Sequence, residues 1–123
     1  MSKRRVVVTG LGIVSPLGST VETVWASVLA GRSGIVPIST FDASMFNTRF
    51  AGAVQGFEVA DYLSAKEARR MDPFMHYGMG AGVQAMTDSG LDLPRTNLER
   101  CGAVMGSGIG GLPMIEDTHN DFL

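Results

Sequence analysis

Two short runs of the chain are apolar almost throughout, with no regular polar alternation. They span residues 5–11 (RVVVTGL) and residues 101–106 (CGAVMG). Runs of this kind are typical of strands that are buried on both faces of a parallel sheet. The pattern therefore predicts two central strands of a layered α/β fold. A third strand is predicted over residues 50–54 (FAGAV).

A helix with one apolar face is predicted near the N-terminus. Ser19 and Glu22 form an S-x-x-E capping box, and Gly31 suits the left-handed position that ends many helices. These signals predict a helix over residues 20–30 that packs on the sheet. The expected packing face consists of Val21, Val24, Trp25, Val28 and Leu29.

Two more helices are predicted in the middle of the chain. A capping box at positions 64 and 67 starts a short basic helix that runs to residue 71. Asp72 as N-cap and Pro73 at the first helical position start a second helix over residues 73–89. Because that second helix contains three glycines, its intrinsic helix propensity is low. We expect close backbone packing inside a larger protein to compensate.

The last part of the chain is predicted to hold one helical turn, a strand, a glycine-rich turn and a final helix. Thr96 and Glu99 form a third capping box, and a helical pattern begins at Leu112. With no repeat or linker, residues 1–123 are predicted to form one body without an internal boundary. About three strands are too few to surround two buried ones. This shortage favours a piece of a longer α/β chain over a complete domain.

Composition excludes several classes of protein. The chain has 123 residues, of which 45% are hydrophobic and 18% charged, and its formal net charge is −2. No global positive field would attract nucleic acid or an anionic membrane. Cys101 is the single cysteine, which argues against a disulfide-stapled secreted domain. Glycines and Pro16 interrupt the apolar run after the basic start, so no signal peptide or membrane span is expected. We therefore expect a soluble, cytoplasmic protein.

Two glycine clusters are candidates for ligand binding. The dinucleotide-binding pattern fails after Gly10-Leu11-Gly12, because Ser15 occupies the position of its third glycine, and a tight turn is the simpler interpretation. The cluster at residues 106–111 (GSGIGG) lacks the Lys-Ser/Thr pair of a phosphate loop. Its one bulky side chain, Ile109, could contact an apolar ligand or be an ordinary buried loop residue.

Charged and nucleophilic side chains offer few other candidates. Lys66, Arg69 and Arg70 share one face of the short basic helix, which suits an acidic partner or an ordinary solvated surface. Cys101 lies in an apolar strand and is expected to be a buried structural thiol. His76 and His119 lie far from it in sequence, and these residues form no recognisable metal site.

Five segments of the sequence, in order along the chain, resemble a known enzyme family. The family is the second type of β-ketoacyl-[acyl-carrier-protein] synthase, a fatty-acid condensing enzyme, and the resemblance covers essentially all 123 residues of the chain as the N-terminal segment of such an enzyme. The segments are RRVVVTGLGIVSPLG, VWASVLAGRSGI, KEARRMDPF, GVQAMTDSGL and GSGIGG.

The resemblance implies a fold and a reaction. The fold is a thiolase-like layered α/β fold, of which the chain would be the incomplete first half-repeat, normally assembled as a homodimer. The reaction is the decarboxylative condensation of malonyl-carrier with an acyl thioester to give 3-oxoacyl-carrier. No metal or redox cofactor is implied.

The resemblance assigns binding residues to this chain but no catalytic ones. The nucleophilic cysteine and two histidines of the family lie beyond residue 123, so we expect the chain alone to be inactive. Ile109 would line the acyl pocket, and the loop around it would be shaped by Gly108, Gly110 and Gly111. Lys66, Arg69 and Arg70 would meet the acidic acyl carrier protein.

Other interpretations stay open. One is a non-catalytic nucleotide- or carrier-binding α/β domain, and another is a truncated gene product without catalysis. A polyketide ketosynthase or a close paralogue fits the same motifs. A reading frame that continues into a cysteine nucleophile segment and two histidine motifs would favour the condensing enzyme.

Overall fold

The structure is a computed structural model that describes residues 3–123. The first two residues belong to the basic start, where no signal peptide is expected, and they lie outside the described residues. The chain forms two compact units. One unit consists of Ile13–Glu58, and the other combines the segment up to Gly12 with Val59–Leu123. No helix within residues 3–123 is long and apolar enough to span a membrane.

The Ile13–Glu58 unit contains helix α1, Val21–Leu29. Thr20 is its N-cap, and the hydroxyls of Thr20 and Thr23 each accept a hydrogen bond from the other's backbone N–H at 3.3 Å. The predicted helix is confirmed, but the predicted Ser19–Glu22 box is wrong by one residue. It is displaced because the Thr20–Thr23 pair supplies both capping acceptors. Gly31, at φ 63°, takes the expected left-handed conformation.

The same unit contains a short antiparallel pair of strands, β1 (Val36–Pro37) and β2 (Phe50–Ala51). The strand predicted over residues 50–54 is therefore present but only two residues long. The Ser27 hydroxyl of α1 donates to the Leu17 carbonyl at 3.2 Å, which ties the helix to the preceding loop. The buried side chains of this unit are Val24, Ser27 and Ala43.

The other unit contains three α-helices: α2 (Ala65–Ala68), α3 (Pro73–Asp88) and α4 (Leu112–Asp121). The capping box at Ser64 and Glu67 is confirmed, as are Asp72 at the N-cap of α3 and Pro73 at its first position. Helix α2 is shorter than predicted, and single turns continue it to Met71. Short 3₁₀ turns lie at Val59–Asp61, Leu93–Arg95 and Leu98–Arg100.

The predicted third capping box is wrong. The Thr96 hydroxyl donates backwards to the Asp92 carbonyl at 2.6 Å, so it does not cap the following turn. The side chain of Asn97 caps that turn instead, accepting a hydrogen bond from the Glu99 N–H at 3.1 Å.

The N-terminal segment lies directly against helix α3. A Cβ atom added to Gly10 would lie 2.6 Å from the Ser89 nitrogen, and one added to Gly12 would lie 2.8 Å from the Ala85 nitrogen. Both separations are shorter than van der Waals contact allows, so only glycine permits this approach. The Leu11 N–H also donates to the Asp88 carboxylate at 2.8 Å. These glycines serve backbone packing on a helix, with no phosphate-binding turn at this position.

The two predicted central strands are absent from residues 3–123. Residues 5–11 and 101–106 form no paired strand, and their apolar side chains are exposed, with Val6 94% and Val104 100% exposed. A strand is stable only where its N–H and C=O groups form hydrogen bonds with a neighbouring strand. The described residues supply no such neighbour for these two runs. Cys101 is likewise exposed and not buried, and Trp25, on the predicted packing face of α1, is 60% exposed.

Candidate functional site

The glycine-rich segment forms a loop, residues 106–111, that joins the apolar run beginning at residue 101 to helix α4. Gly111 is the N-cap of α4 and has a left-handed conformation with φ 77°. Neither Gly106 nor Gly108 has any atom within 4 Å of an added Cβ. Ile109, at the centre of the loop, is 80% exposed. The loop therefore presents one large apolar side chain among four glycines and one serine.

The second half of the loop rests on the beginning of helix α3. A Cβ atom added to Gly110 would lie 2.7 Å from two atoms of the Phe74 ring, Cε2 and Cζ, and 2.8 Å from Cδ2. One added to Gly111 would lie 3.0 Å from the Asp72 Oδ2 atom. Asp72 is 7% exposed, and within the described residues its Oδ2 has no hydrogen-bond partner. The loop backbone thus packs on two side chains at the start of α3.

Two cavities flank this contact, and Phe74 and Met75 line both of them. The first has a volume of about 570 Å³ and reaches the end of the loop at Gly110 and Gly111. The second has a volume of about 390 Å³ and reaches the beginning of the loop at Gly106 and Ser107. The second cavity is otherwise lined by Met71, Tyr77, Gly78, Met79 and Met105.

The predicted basic face lies on and just after helix α2. Lys66 is in the helix, Arg69 is its C-cap and Arg70 follows, and all three are exposed. The Arg69 Nε–H donates to the Ala65 carbonyl at 3.1 Å, which holds that side chain along the helix. No acidic side chain of the described residues forms an ion pair with any of the three. Their positive charge is available at the surface.

Glu67, the one acidic residue of α2, binds the residue that precedes the helix. Its carboxylate accepts hydrogen bonds from the Ser64 hydroxyl at 2.6 Å and the Ser64 N–H at 3.0 Å. These two bonds hold the pKa of Glu67 below its ordinary value. The carboxylate is occupied as a helix cap, and within the described residues it forms no ion pair with Lys66 or Arg70.

The basic face and the glycine-rich loop both involve the short stretch of chain around the start of helix α3. The basic face ends at Arg70, and the loop rests on Asp72 and Phe74 only a few residues later. The sequence pattern predicted Asp72 as a helix N-cap and indicated no role for Phe74. The contact joins residues 36 positions apart, Phe74 and Gly110. No local pattern signals such a contact.

The remaining reactive side chains do not form a nucleophilic pair. Within residues 3–123, no hydrogen bond joins Cys101 to either histidine. The His76 Nε2 is 3.0 Å from the Ala68 carbonyl oxygen, while His119 lines the larger cavity. Cys101 Sγ is 3.6 Å from the Asn97 carbonyl oxygen. In the same described residues, no three His, Cys, Asp or Glu side chains form a group that could hold a metal ion.

Comparison with known proteins supplies relatives for nearly the whole chain. Residues 3–121 match the model of the β-ketoacyl synthase N-terminal domain. The chain is 57% identical over 119 residues to 3-oxoacyl-[acyl-carrier-protein] synthase 2 of Vibrio cholerae, covering 97% of the chain and 29% of that protein. It is 56% identical over 120 residues to the protein of the same name in Vibrio harveyi, covering 98% of the chain and 29% of the relative.

A solved structure supports the same relationship. The ishigamide ketosynthase/chain length factor superposes with a TM-score of 0.67 at 37% identity, covering 73% of this chain and 22% of that one. The predicted layered α/β fold of the thiolase type, present here in part, is confirmed by this neighbour and by the family match. The loop and the basic face both lie inside the matched range. The chain therefore belongs to the β-ketoacyl synthase family and carries its N-terminal domain.

Proposed function

We propose that this chain is the N-terminal part of a condensing enzyme of fatty-acid biosynthesis. The observation that carries the proposal is the identity of 57% with a 3-oxoacyl-[acyl-carrier-protein] synthase 2 across 97% of the chain. The chain spans about 29% of the length of such relatives. The activity belongs to the full-length protein, to which this segment contributes binding surfaces.

The reaction proceeds through a covalent acyl-enzyme. An acyl group leaves its carrier thiol and forms a thioester with a cysteine of the enzyme outside this chain. Malonyl-carrier then loses carbon dioxide, and the resulting carbanion attacks that thioester and expels the cysteine thiolate. The product is a 3-oxoacyl-carrier longer by two carbons. Two histidines outside this chain assist decarboxylation and stabilise the oxyanion.

Within this reaction we assign the loop to the acyl chain. Ile109 presents an apolar side chain with 80% exposure, and the neighbouring Gly108, Gly110 and Gly111 carry no side chains that would occupy the same space. An alkyl chain needs an apolar wall and gains stability in proportion to the area that it buries. Ile109 would supply part of that wall.

We assign the basic face to the carrier protein. Lys66, Arg69 and Arg70 are exposed, and Glu67 is occupied by Ser64. A patch of unpaired cations on a protein of net charge −2 attracts an acidic partner locally and accelerates its association. The acyl carrier protein, in its acyl- and malonyl-loaded forms, is the proposed partner. We further propose a homodimer in the cytoplasm, with no metal or redox cofactor.

The proposal is tested by replacing Ile109 in the full-length protein. Ile109→Phe should shorten the longest acyl chain accepted, because an extra ring in a packed apolar tunnel costs about 1–3 kcal/mol. The assay compares kcat/KM for carrier-bound acyl chains of increasing length. Ile109→Val is the matched control, which removes one methyl group and should retain the longest chain. Identical length profiles for all three proteins would remove Ile109 from the pocket.

A polyketide ketosynthase is the second candidate. It is favoured by the structural similarity to the ishigamide ketosynthase/chain length factor, whose identity to the chain is nevertheless lower, 37% against 57%. The two candidates differ in product. A fatty-acid enzyme extends a reduced acyl chain once per cycle, whereas a polyketide enzyme extends chains that keep their oxo groups. Mass spectrometry of carrier-bound products distinguishes them.

A further inference from the structure

We infer that Phe74 is a positioning residue for the acyl-pocket loop. Its ring holds the backbone at Gly110 and so sets how far Ile109 reaches into the pocket. The inference deepens the proposed function and rests on it. Phe74 itself is not assigned a contact with the acyl chain.

The first support is the closeness of the contact. A Cβ added to Gly110 would lie only 2.7 Å from two atoms of the Phe74 ring, so the loop backbone already lies close to this ring. Ordinary carbon contacts lie at about 3.5–4.0 Å. Any side chain at Gly110 would therefore push the loop and the ring apart by about 1 Å, and Ile109 is the adjacent residue.

The second support is the place of Phe74 between the two cavities. One cavity reaches Gly110 and Gly111, the other reaches Gly106 and Ser107, and the ring of Phe74 lines both. The ring therefore borders both cavities, one at each end of the segment that carries Ile109. A Cβ added to Gly106 or Gly108 would meet no atom within 4 Å. A change in the size of this one side chain is expected to move the loop.

The third support is the rigidity of the element that carries the ring. Phe74 is in the first turn of α3, after Asp72 at the N-cap and Pro73 at the first helical position. Proline fixes its own φ, so this turn is held in place. The Asp72 side chain also lies under Gly111, whose left-handed φ of 77° disfavours other residues. The ring is thus carried by a helix start whose backbone Pro73 restricts.

The test is a double-mutant cycle in the full-length protein. Gly110→Ala introduces the methyl group that meets the ring, and Phe74→Leu removes the ring atoms that it meets. The readout is the ratio of kcat/KM for the longest accepted acyl chain to that for a shorter one. Each single variant should change this ratio about tenfold, the effect of one methylene in an apolar pocket. The double variant should return to within about threefold of the unchanged protein.

The matched control is Gly108→Ala, the same substitution two residues away. No atom lies within 4 Å of a Cβ added there, so its effect on the ratio should add to that of Phe74→Leu without compensation. A second measurement does not depend on activity. Hydrogen exchange of the amides at 107–111 should accelerate in Phe74→Leu, while exchange at 64–68 should not change.

Each outcome decides between the proposals. Compensation in the double variant, together with faster loop exchange, supports the inference. Strict additivity, or variants that lower kcat/KM equally for every chain length, overturns it and makes Phe74 an ordinary packing residue. If Gly110→Ala does not fold, unchanged selectivity and unchanged loop exchange in Phe74→Leu overturn it. If Ile109→Phe alters selectivity while the cycle is additive, only this inference fails. If Ile109→Phe has no effect, the proposed pocket fails.

Discussion

Substitution of Gly10 by alanine should loosen the end of helix α3. The added methyl group would lie 2.6 Å from the Ser89 nitrogen and 2.9 Å from the Ser89 Cα, and it would also meet the Ala85 carbonyl oxygen. The Ser89 N–H donates to that same carbonyl at 3.0 Å in the last turn of the helix. The new methyl group would therefore press on both partners of one hydrogen bond.

The structure gives the size of this effect. To restore ordinary contact, the N-terminal segment must move away from the helix by about 1 Å. Overpacking of this kind costs about 1–3 kcal/mol. The hydrogen bond from Leu11 N–H to Asp88, 2.8 Å long, would be strained as well. Replacing glycine reduces the entropy of the unfolded chain and returns about 0.4–1 kcal/mol. The strain on the Leu11–Asp88 hydrogen bond, about 0.5–1 kcal/mol, offsets this return, so the net loss stays at about 1–3 kcal/mol.

Native-state hydrogen exchange in the full-length protein measures this loss locally. Since about 1.4 kcal/mol corresponds to a factor of ten, the Ser89 amide should exchange roughly 5- to 150-fold faster in Gly10→Ala. The control is Gly90→Asn, at the end of the same helix, where φ is 62° and no atom lies within 4 Å of an added Cβ. Asparagine tolerates that conformation, so exchange should change little. Unaltered exchange at Ser89 in Gly10→Ala would refute the close packing described here.

Two further predictions concern helix α2 and are also made for the full-length protein. Reversing Lys66 and Arg70 to Glu should raise the apparent KM for carrier-bound substrate about 3- to 10-fold at low salt and less at high salt. The same charge reversal at Arg32 is the control and should leave KM unchanged. Equal effects at both sites would reduce the basic face to ordinary surface. Because the pKa of Glu67 is held below its ordinary value of 4.5, its cap is complete above that pH and is lost as pH falls through the lowered value. Stability should therefore decline less steeply with acid in Glu67→Gln, and a decline identical to that of the unchanged protein would contradict the role of this cap.

The helices could be predicted from sequence because their ends depend on neighbouring residues. Asp72, Pro73 and Gly90 act within one turn of the helix end that they define, and the structure places α3 where they indicate. The error at α1 has the same origin. Ser19 and Thr20 are both capping residues, and only the geometry of Thr23 favours the second.

The strands and the site could not be predicted in the same way. A strand at residues 5–11 depends on partners elsewhere, and within residues 3–123 no partner is present. The contact between Phe74 and Gly110 likewise joins distant parts of the sequence. Sequence patterns identified the loop and the basic face as candidates, and the resemblance to a family assigned them roles. It gave no indication of what supports the loop.

The open valine run at residues 6–8 has a consequence for biosynthesis. Ribosomes add about 5–20 residues per second, and relatives of this chain are more than three times as long. At that rate the additional length takes tens of seconds to synthesise, and any strand within it that could pair with this run would be missing until then. During that interval its backbone can pair with another nascent chain. Slowing translation of the additional length should increase misassembly of the new polypeptide, and a chaperone that shields exposed valine segments should reduce it.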